Sequence, residues 1–135
     1  YGHVSMLEHM EEQNKRVQLI GMIEDKEALD QLDDILSVKG LDLLFIGTSD
    51  LSASLGLPGQ VKHPEVQEAI RLILDKAAEQ GVPVGMPAYD LAIAQEWIQL
   101  GAKFICTPPV DTFHLSKTFR EHLLKLKEFV NMPAE

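Results

Sequence analysis

Two apolar runs of this chain each stop at a carboxylate. Leu19-Ile20-Gly21-Met22-Ile23 ends at Glu24. Phe45-Ile46-Gly47-Thr48-Ser49 leads to Asp50 within a stretch of small residues that continues Leu51-Ser52-Ala53-Ser54-Leu55-Gly56. The interval between the acids is one strand-helix unit plus a turn, which places them at the same end of neighbouring parallel strands. Active sites of α/β proteins form at that end, because the loops there are free to carry chemistry. Two carboxylates with no base nearby suit a hard divalent cation, Mg2+ or Mn2+, whose six-coordinate shell water or substrate oxygens would complete. The same two acids also read as helix N-caps or first-turn residues favoured by the helix dipole.

The elements that must position these acids follow from hydrophobic periodicity. Apolar runs at Val17 to Ile23, Leu41 to Ile46, Val82 to Met86 and Lys103 to Cys106 are continuous and not alternating, as expected of parallel strands covered on both faces. Each is followed by a helical pattern. The inward stripes are Ala28, Leu29, Leu32, Ile35 and Leu36, then Val66, Ile70, Ile73, Leu74 and Ala77, then Leu91, Ala94, Trp97 and Ile98, and last Leu115, Phe119, Leu123, Leu126 and Phe129. Gly40, Gly81 and Gly101 each fall between a helical pattern and the next apolar run, where a left-handed helix cap needs a residue without a side chain. The second unit carries an extra segment, Asp50 to His63, longer than the roughly 2 to 6 residues usual for such loops, and a long loop at that end of a strand is more often functional. A polar stretch, Met6 to Arg16, precedes the first unit as helix or loop. The expected organisation is one partial-barrel domain over residues 1–135, with a leading segment 1–16 and four βα units in 17–135. Four consecutive βα units make either half of a (β/α)8 barrel or a small doubly wound sheet, and the pattern alone does not separate them.

Composition narrows the functional classes. The 135 residues, 45% of them hydrophobic, suffice for one core. A net charge of −9, with no cluster of Lys and Arg interleaved with aromatics, argues against nucleic acid as a partner. The apolar stretches fall well short of the roughly 20 residues that span a bilayer, and no basic-then-apolar leader opens the sequence, so no membrane partner is expected. A single cysteine, Cys106, excludes an internal disulfide and fits the reducing cytoplasm. Tyr1 stands where a translation product has methionine, so the chain is expected to begin inside a longer protein.

The block Phe45 to Gly56, followed by His63-Pro64-Glu65-Val66, resembles the HpcH/HpaI aldolase family of metal-dependent pyruvate aldolases. Ile23-Glu24-Asp25-Lys26-Glu27-Ala28-Leu29 is similar to that family's first ligand strand, and Val110-Asp111-Thr112 to its closing turn, so the resemblance extends over most of the chain. The implied fold is the C-terminal half of a (β/α)8 TIM barrel of the phosphoenolpyruvate/pyruvate-binding type. The implied activity is that of a class II aldolase or lyase, which forms or cleaves a C–C bond between pyruvate enolate and an aldehyde. The resemblance makes Glu24 and Asp50 the metal ligands, for Mg2+ or Mn2+ with Co2+ as a third candidate, and makes the backbone amides of Ser49 and Asp50 the pyruvate-binding groups. A cation chelated by the 2-keto acid's oxygens would act as the Lewis acid that stabilises the enolate. It also implies a homo-oligomer that exchanges its terminal helix between protomers.

Two departures accompany the resemblance. Met22 stands where the family usually has a glutamine pointing into the site two residues before the first ligand, and Thr48 stands where it favours proline after the turn glycine. The family's histidine base partner and carboxylate-gripping arginine belong to its other half, and nothing here matches them. The catalytic base is therefore expected outside these residues, and the isolated chain is expected to be inactive. Of the remaining candidates, His63 before Pro64 reads as a helix cap, His114 as a surface histidine before a proton carrier, Asp111 as a cap of the last helix, and Cys106 as buried packing. Trp97 and the Leu115-to-Phe129 stripe read as core, the stripe alternatively as a surface packed on a neighbouring subunit. Two other readings share this scaffold. One is a non-catalytic half-barrel module that self-associates without metal to cover its strand edges. The other is a phosphopyruvate-type or citryl-lyase relative acting on other acids.

Overall fold

The computed structural model describes residues 4–107 and 110–130. In chain order the elements are α1 (Met6–Arg16), β1 (Ile20–Ile23), α2 (Lys26–Asp30), α3 (Leu32–Leu36), β2 (Leu43–Ile46), α4 (Thr48–Ser54), α5 (Pro64–Glu79), β3 (Val84–Pro87), α6 (Leu91–Gln99), β4 (Phe104–Cys106) and α7 (Asp111–Val130). Residues 1–3 of the expected leading segment lie outside the described residues. The strands pair in parallel in the order β1-β2-β3-β4. That sequential order decides between the two architectures. A doubly wound sheet reverses its strand order to place helices on both faces, whereas unbroken order with right-handed crossovers stacks every helix on one face, as in half of a (β/α)8 barrel.

The two faces of the sheet differ accordingly. One carries Leu44 and Val84 in one row and Ile23, Ile46 and Met86 in the next, all buried in a single core with Leu32 and Leu36 of α3, Val66, Ile70, Ile73, Leu74 and Ala77 of α5, and Ala94 and Trp97 of α6. On the other face, Met22, Phe45, Gly85 and Phe104 are aligned by the strand register. The Phe45 and Phe104 rings meet edge to face, with centroids 6.3 Å apart, across Gly85, where a Cβ would lie 2.9 Å from each ring. Among the described residues no helix covers this row, and Met22 and Phe104 are exposed. The expectation of strands covered on both sides is thus corrected: helices cover one face, and the apolar second face corresponds to a barrel interior.

Local chemistry sets the boundaries. The α5 and α6 helices both end in a Schellman motif. In α5 the Val82 N–H donates to the Ala77 carbonyl and the Gly81 N–H to that of Ala78, while in α6 Ala102 and Gly101 do the same with Trp97 and Ile98. Gly81 and Gly101 have φ of 71° and 109°, the left-handed region this motif requires. The first helical pattern is broken at Gln31 into α2 and α3. In α6 the inward stripe is Ile93, Ala94, Trp97 and Leu100, and Leu91 and Ile98 are exposed. The α7 helix buries none of its residues, so its apolar stripe is not core: Leu115, Phe119, Leu123, Leu126 and Phe129 all face outward. Among the described residues no helix is long and apolar enough to cross a membrane.

Candidate metal and keto-acid site

Glu24 and Gly47 are the first residues beyond the ends of β1 and β2. The Gly47 N–H donates to the Ile23 carbonyl at 2.9 Å and extends the ladder past both strands. The half-buried Glu24 side chain lies across Gly47. A Cβ built there would stand 2.9 Å from Glu24 Cβ, 3.0 Å from its Oε2 and 3.6 Å from Met22 Sδ. Met22 and Glu24 therefore share a side of the strand, as their i, i+2 spacing requires. Glu24 is not a helix cap. That role belongs to Asp25, whose Oδ1 accepts the Ala28 N–H at 2.7 Å at the start of α2.

The expected small-residue turn before Asp50 is instead a helix that begins one residue after the strand. Gly47 is the N-cap of α4, no side chain caps it, and Asp50 sits in its first turn. The first intrahelical bond is from the Leu51 N–H to the Gly47 carbonyl. The amides of Thr48, Ser49 and Asp50 precede it, among the groups a helix start leaves without an intrahelical acceptor. Thr48 occupies the first helical position, the one at which proline is tolerated, so the departure from proline there need not alter the backbone. Buried Ser52 anchors the helix from behind: its hydroxyl donates to the Ser49 carbonyl at 2.6 Å and accepts the Gly59 N–H at 3.1 Å. A Schellman closure at Gly56, with the Leu57 N–H on the Ser52 carbonyl, ends α4 and turns the chain into the extra loop.

A second cross-element bond, beyond that from Gly47 to Ile23, connects the two acid-bearing segments. The Lys26 N–H donates to Ser54 Oγ of α4 at 2.9 Å. Asp50 and Ser54 are four residues apart on one helix and so occupy the same face, the face turned toward the segment that holds Glu24. The Glu24 carboxylate over Gly47 and the Asp50 carboxylate on this face are hard oxygen donors of the kind Mg2+ and Mn2+ take. No group of three or more His, Cys, Asp or Glu side chains suited to a metal occurs among the described residues.

A cleft of about 460 Å³ opens beside Thr48 and Ser49 at the start of α4, lined also by Lys62, His63, Tyr89, Ile93 and Trp97. Trp97 is buried as expected, its Nε1 donating to the Pro87 carbonyl at 3.0 Å, and Lys62 Nζ lies 4.8 Å over its ring while pairing with Glu96. His63 is the N-cap of α5, accepting the Glu65 N–H, with Pro64 at the first helical position. Asp111 Oδ1 accepts the Thr112 N–H at 2.7 Å at the start of α7, and His114 is exposed on that helix. Cys106 is half-buried at the end of β4 in register with Pro87, not packed in the core. Sequence reasoning did not single out Gly47, Ser52 or Ser54. The four-residue spacing of Asp50 and Ser54 was the available signal for the last.

The family model for HpcH/HpaI aldolase/citrate lyase matches residues 3–116. A 2-keto-3-deoxy-L-rhamnonate aldolase of Salmonella paratyphi A is 39% identical over 119 residues, covering 88% of this chain and 44% of that protein. The chain thus spans about half the length of the curated relatives it matches. An HpcH/HpaI aldolase structure from Desulfitobacterium hafniense DCB-2 superposes with a TM-score of 0.79 at 30% identity, over 97% of this chain and 49% of the other. The structure of citrate synthase SbnG superposes with a TM-score of 0.81 at 26% identity, over 94% and 51%. With half a barrel in place, and two carboxylates set at adjoining strand ends, the chain belongs to the HpcH/HpaI aldolase/citrate lyase family.

Proposed function

We propose that these 135 residues act as one partial-barrel domain carrying the metal-ligand half of a divalent-metal-dependent pyruvate aldolase. Glu24 and Asp50 hold Mg2+, Mn2+ or Co2+, and the amides of Ser49 and Asp50 receive the carboxylate of a 2-keto acid. The observation that carries this reading is the bond from the Lys26 N–H to Ser54, which joins the Glu24 segment to the face of α4 that bears Asp50. When bound, the cation supplies the positive charge that favours the enolate form of pyruvate. The residues of this chain hold and orient: Glu24 is braced against Gly47, and Ser52 fixes the Ser49 carbonyl and with it the peptide plane that presents the Asp50 N–H. Met22 carries no hydrogen-bond donor at the site edge, so substrate polar groups there must be met by water or by residues of the remaining barrel strands.

The whole-length protein would join or cleave pyruvate and an aldehyde, a reading supported by the similarity to a 2-keto-3-deoxy-L-rhamnonate aldolase. Assembly into a homo-oligomer is supported by α7, a 20-residue helix whose apolar stripe is exposed among the described residues. Retro-aldol assays of the whole-length protein test the proposal. Glu24→Gln and Asp50→Asn should each abolish metal-dependent pyruvate release, and full turnover in both variants would refute the ligand assignment. The isolated 135 residues should give no turnover. A second reading, a non-catalytic module that self-associates, draws support from the uncovered apolar row Met22, Phe45 and Phe104, and predicts association with no metal bound.

A further inference from the structure

Resting on the metal reading above, we propose that Ser54 is the positioning residue that sets the separation of Glu24 and Asp50. The segment from Ile23 to Lys26 is held at two points. The Ile23 carbonyl accepts the Gly47 N–H, and the Lys26 N–H donates to Ser54 Oγ, both at 2.9 Å, with Glu24 between them. The Lys26 amide opens α2 and has no acceptor in its own helix. Asp25, the N-cap, serves Ala28 instead, so the acceptor for Lys26 comes from another element.

That acceptor lies one helical turn beyond Asp50, about 6 Å along the same face of α4 at 1.5 Å per residue. Through this bond any displacement of the Glu24 segment is referred to the helix that carries Asp50. A site closed by three or four protein ligands holds its own geometry. A site with two depends on the scaffold between them, and the metal reading assigns two, Glu24 and Asp50, with no group of three or more possible ligands among the described residues.

The test is Mn2+ affinity by electron paramagnetic resonance on the protein and its variants. Ser54 is exposed, so in Ser54→Ala water can take over the Lys26 amide and the fold should hold, checked by circular dichroism. Ser54→Ala should weaken Mn2+ binding roughly tenfold, the lower end of the usual effect of groups that orient metal ligands, and Ser54→Thr, which keeps the hydroxyl, should restore it. Ser37→Ala, which removes a comparable exposed hydroxyl bond at the end of α3, should leave the affinity unchanged. If Ser54→Ala binds Mn2+ like the wild type while Asp50→Ala does not, the role of Ser54 falls and the metal reading stands. A loss that threonine does not restore also overturns the role of Ser54. If the wild type binds no Mn2+, the metal reading falls and takes the inference with it.

Discussion

Gly47→Ala is the substitution to which the site should be most sensitive for the least chemical change. The backbone there, with φ of −77° and ψ of 80°, has a negative φ that an alanine also adopts, so the effect comes from crowding and not from conformational preference. The added methyl would stand 2.9 Å from Glu24 Cβ and 3.0 Å from its Oε2, where an ordinary contact is 3.4–4 Å. Cβ is tethered to the backbone, so Glu24 cannot clear the clash by rotating its far end alone, and its segment must retreat by about 0.5 to 1 Å. Binding sites tolerate displacements of only about 0.5 Å, and faults in the supporting shell commonly cost roughly 10- to 100-fold in metal affinity. Overpacking should also cost about 1–3 kcal/mol of stability, a fall in Tm of roughly 3–5 °C for each kcal/mol at this size. Gly85→Ala is the matched control, with contacts of 2.9 Å to Phe45 and Phe104 but none to either acid. Titration calorimetry with Mn2+ and thermal melts on both variants separate the effects. Gly47→Ala should lose affinity and stability, Gly85→Ala stability alone. Wild-type affinity in Gly47→Ala would refute the placement of Glu24 over Gly47.

Three further outcomes follow from the packing and the caps. Ile70→Ala, in the fully buried centre of α5, should destabilise the fold by about 2–5 kcal/mol in chemical denaturation, and a loss under 1 kcal/mol would mean that α5 does not seat on the sheet as described. Phe119→Glu on α7 should lower the mass seen by sedimentation while leaving the secondary structure intact, because the exposed stripe contributes nothing to the core; an unchanged mass would remove α7 from any contact between copies. At the start of α1, the Ser5 N–H and hydroxyl hold the Glu8 carboxyl below the ordinary glutamate range. A depressed carboxylate stabilises the folded form above its unfolded pKa and loses that contribution as pH falls through the folded value. Amide exchange in the first turn of α1 should therefore accelerate relative to Glu8→Gln only when the solution is taken below the usual carboxylate range.

How much of this was legible in the sequence depends on which interactions decide each feature. The four strand-helix units and the glycines closing α5 and α6 were legible because they follow from local rules: periodicity and the left-handed cap. Asp50 and Glu24 stood out because each follows an apolar run at the strand end where sites form, and the resemblance then gave them roles. The apolar stripe of α7 misled for a physical reason, since periodicity reports that a face needs cover and not what covers it. The same holds for the row of Met22, Phe45 and Phe104, whose continuous hydrophobicity is that of a barrel interior not enclosed by these residues alone. Gly47, Ser52 and Ser54 passed unnoticed because each acts by a close approach or a bond to a distant segment, which spacing along the chain does not encode.

The most direct test of the central claim is the electron paramagnetic resonance titration of Mn2+ into this protein, with and without pyruvate, beside Glu24→Ala and Asp50→Ala. Binding that tightens with pyruvate and disappears in both variants is the result expected of two carboxylates holding a cation next to a keto-acid site. Mn2+ binding unchanged in both variants, or absent from the wild type, would contradict it.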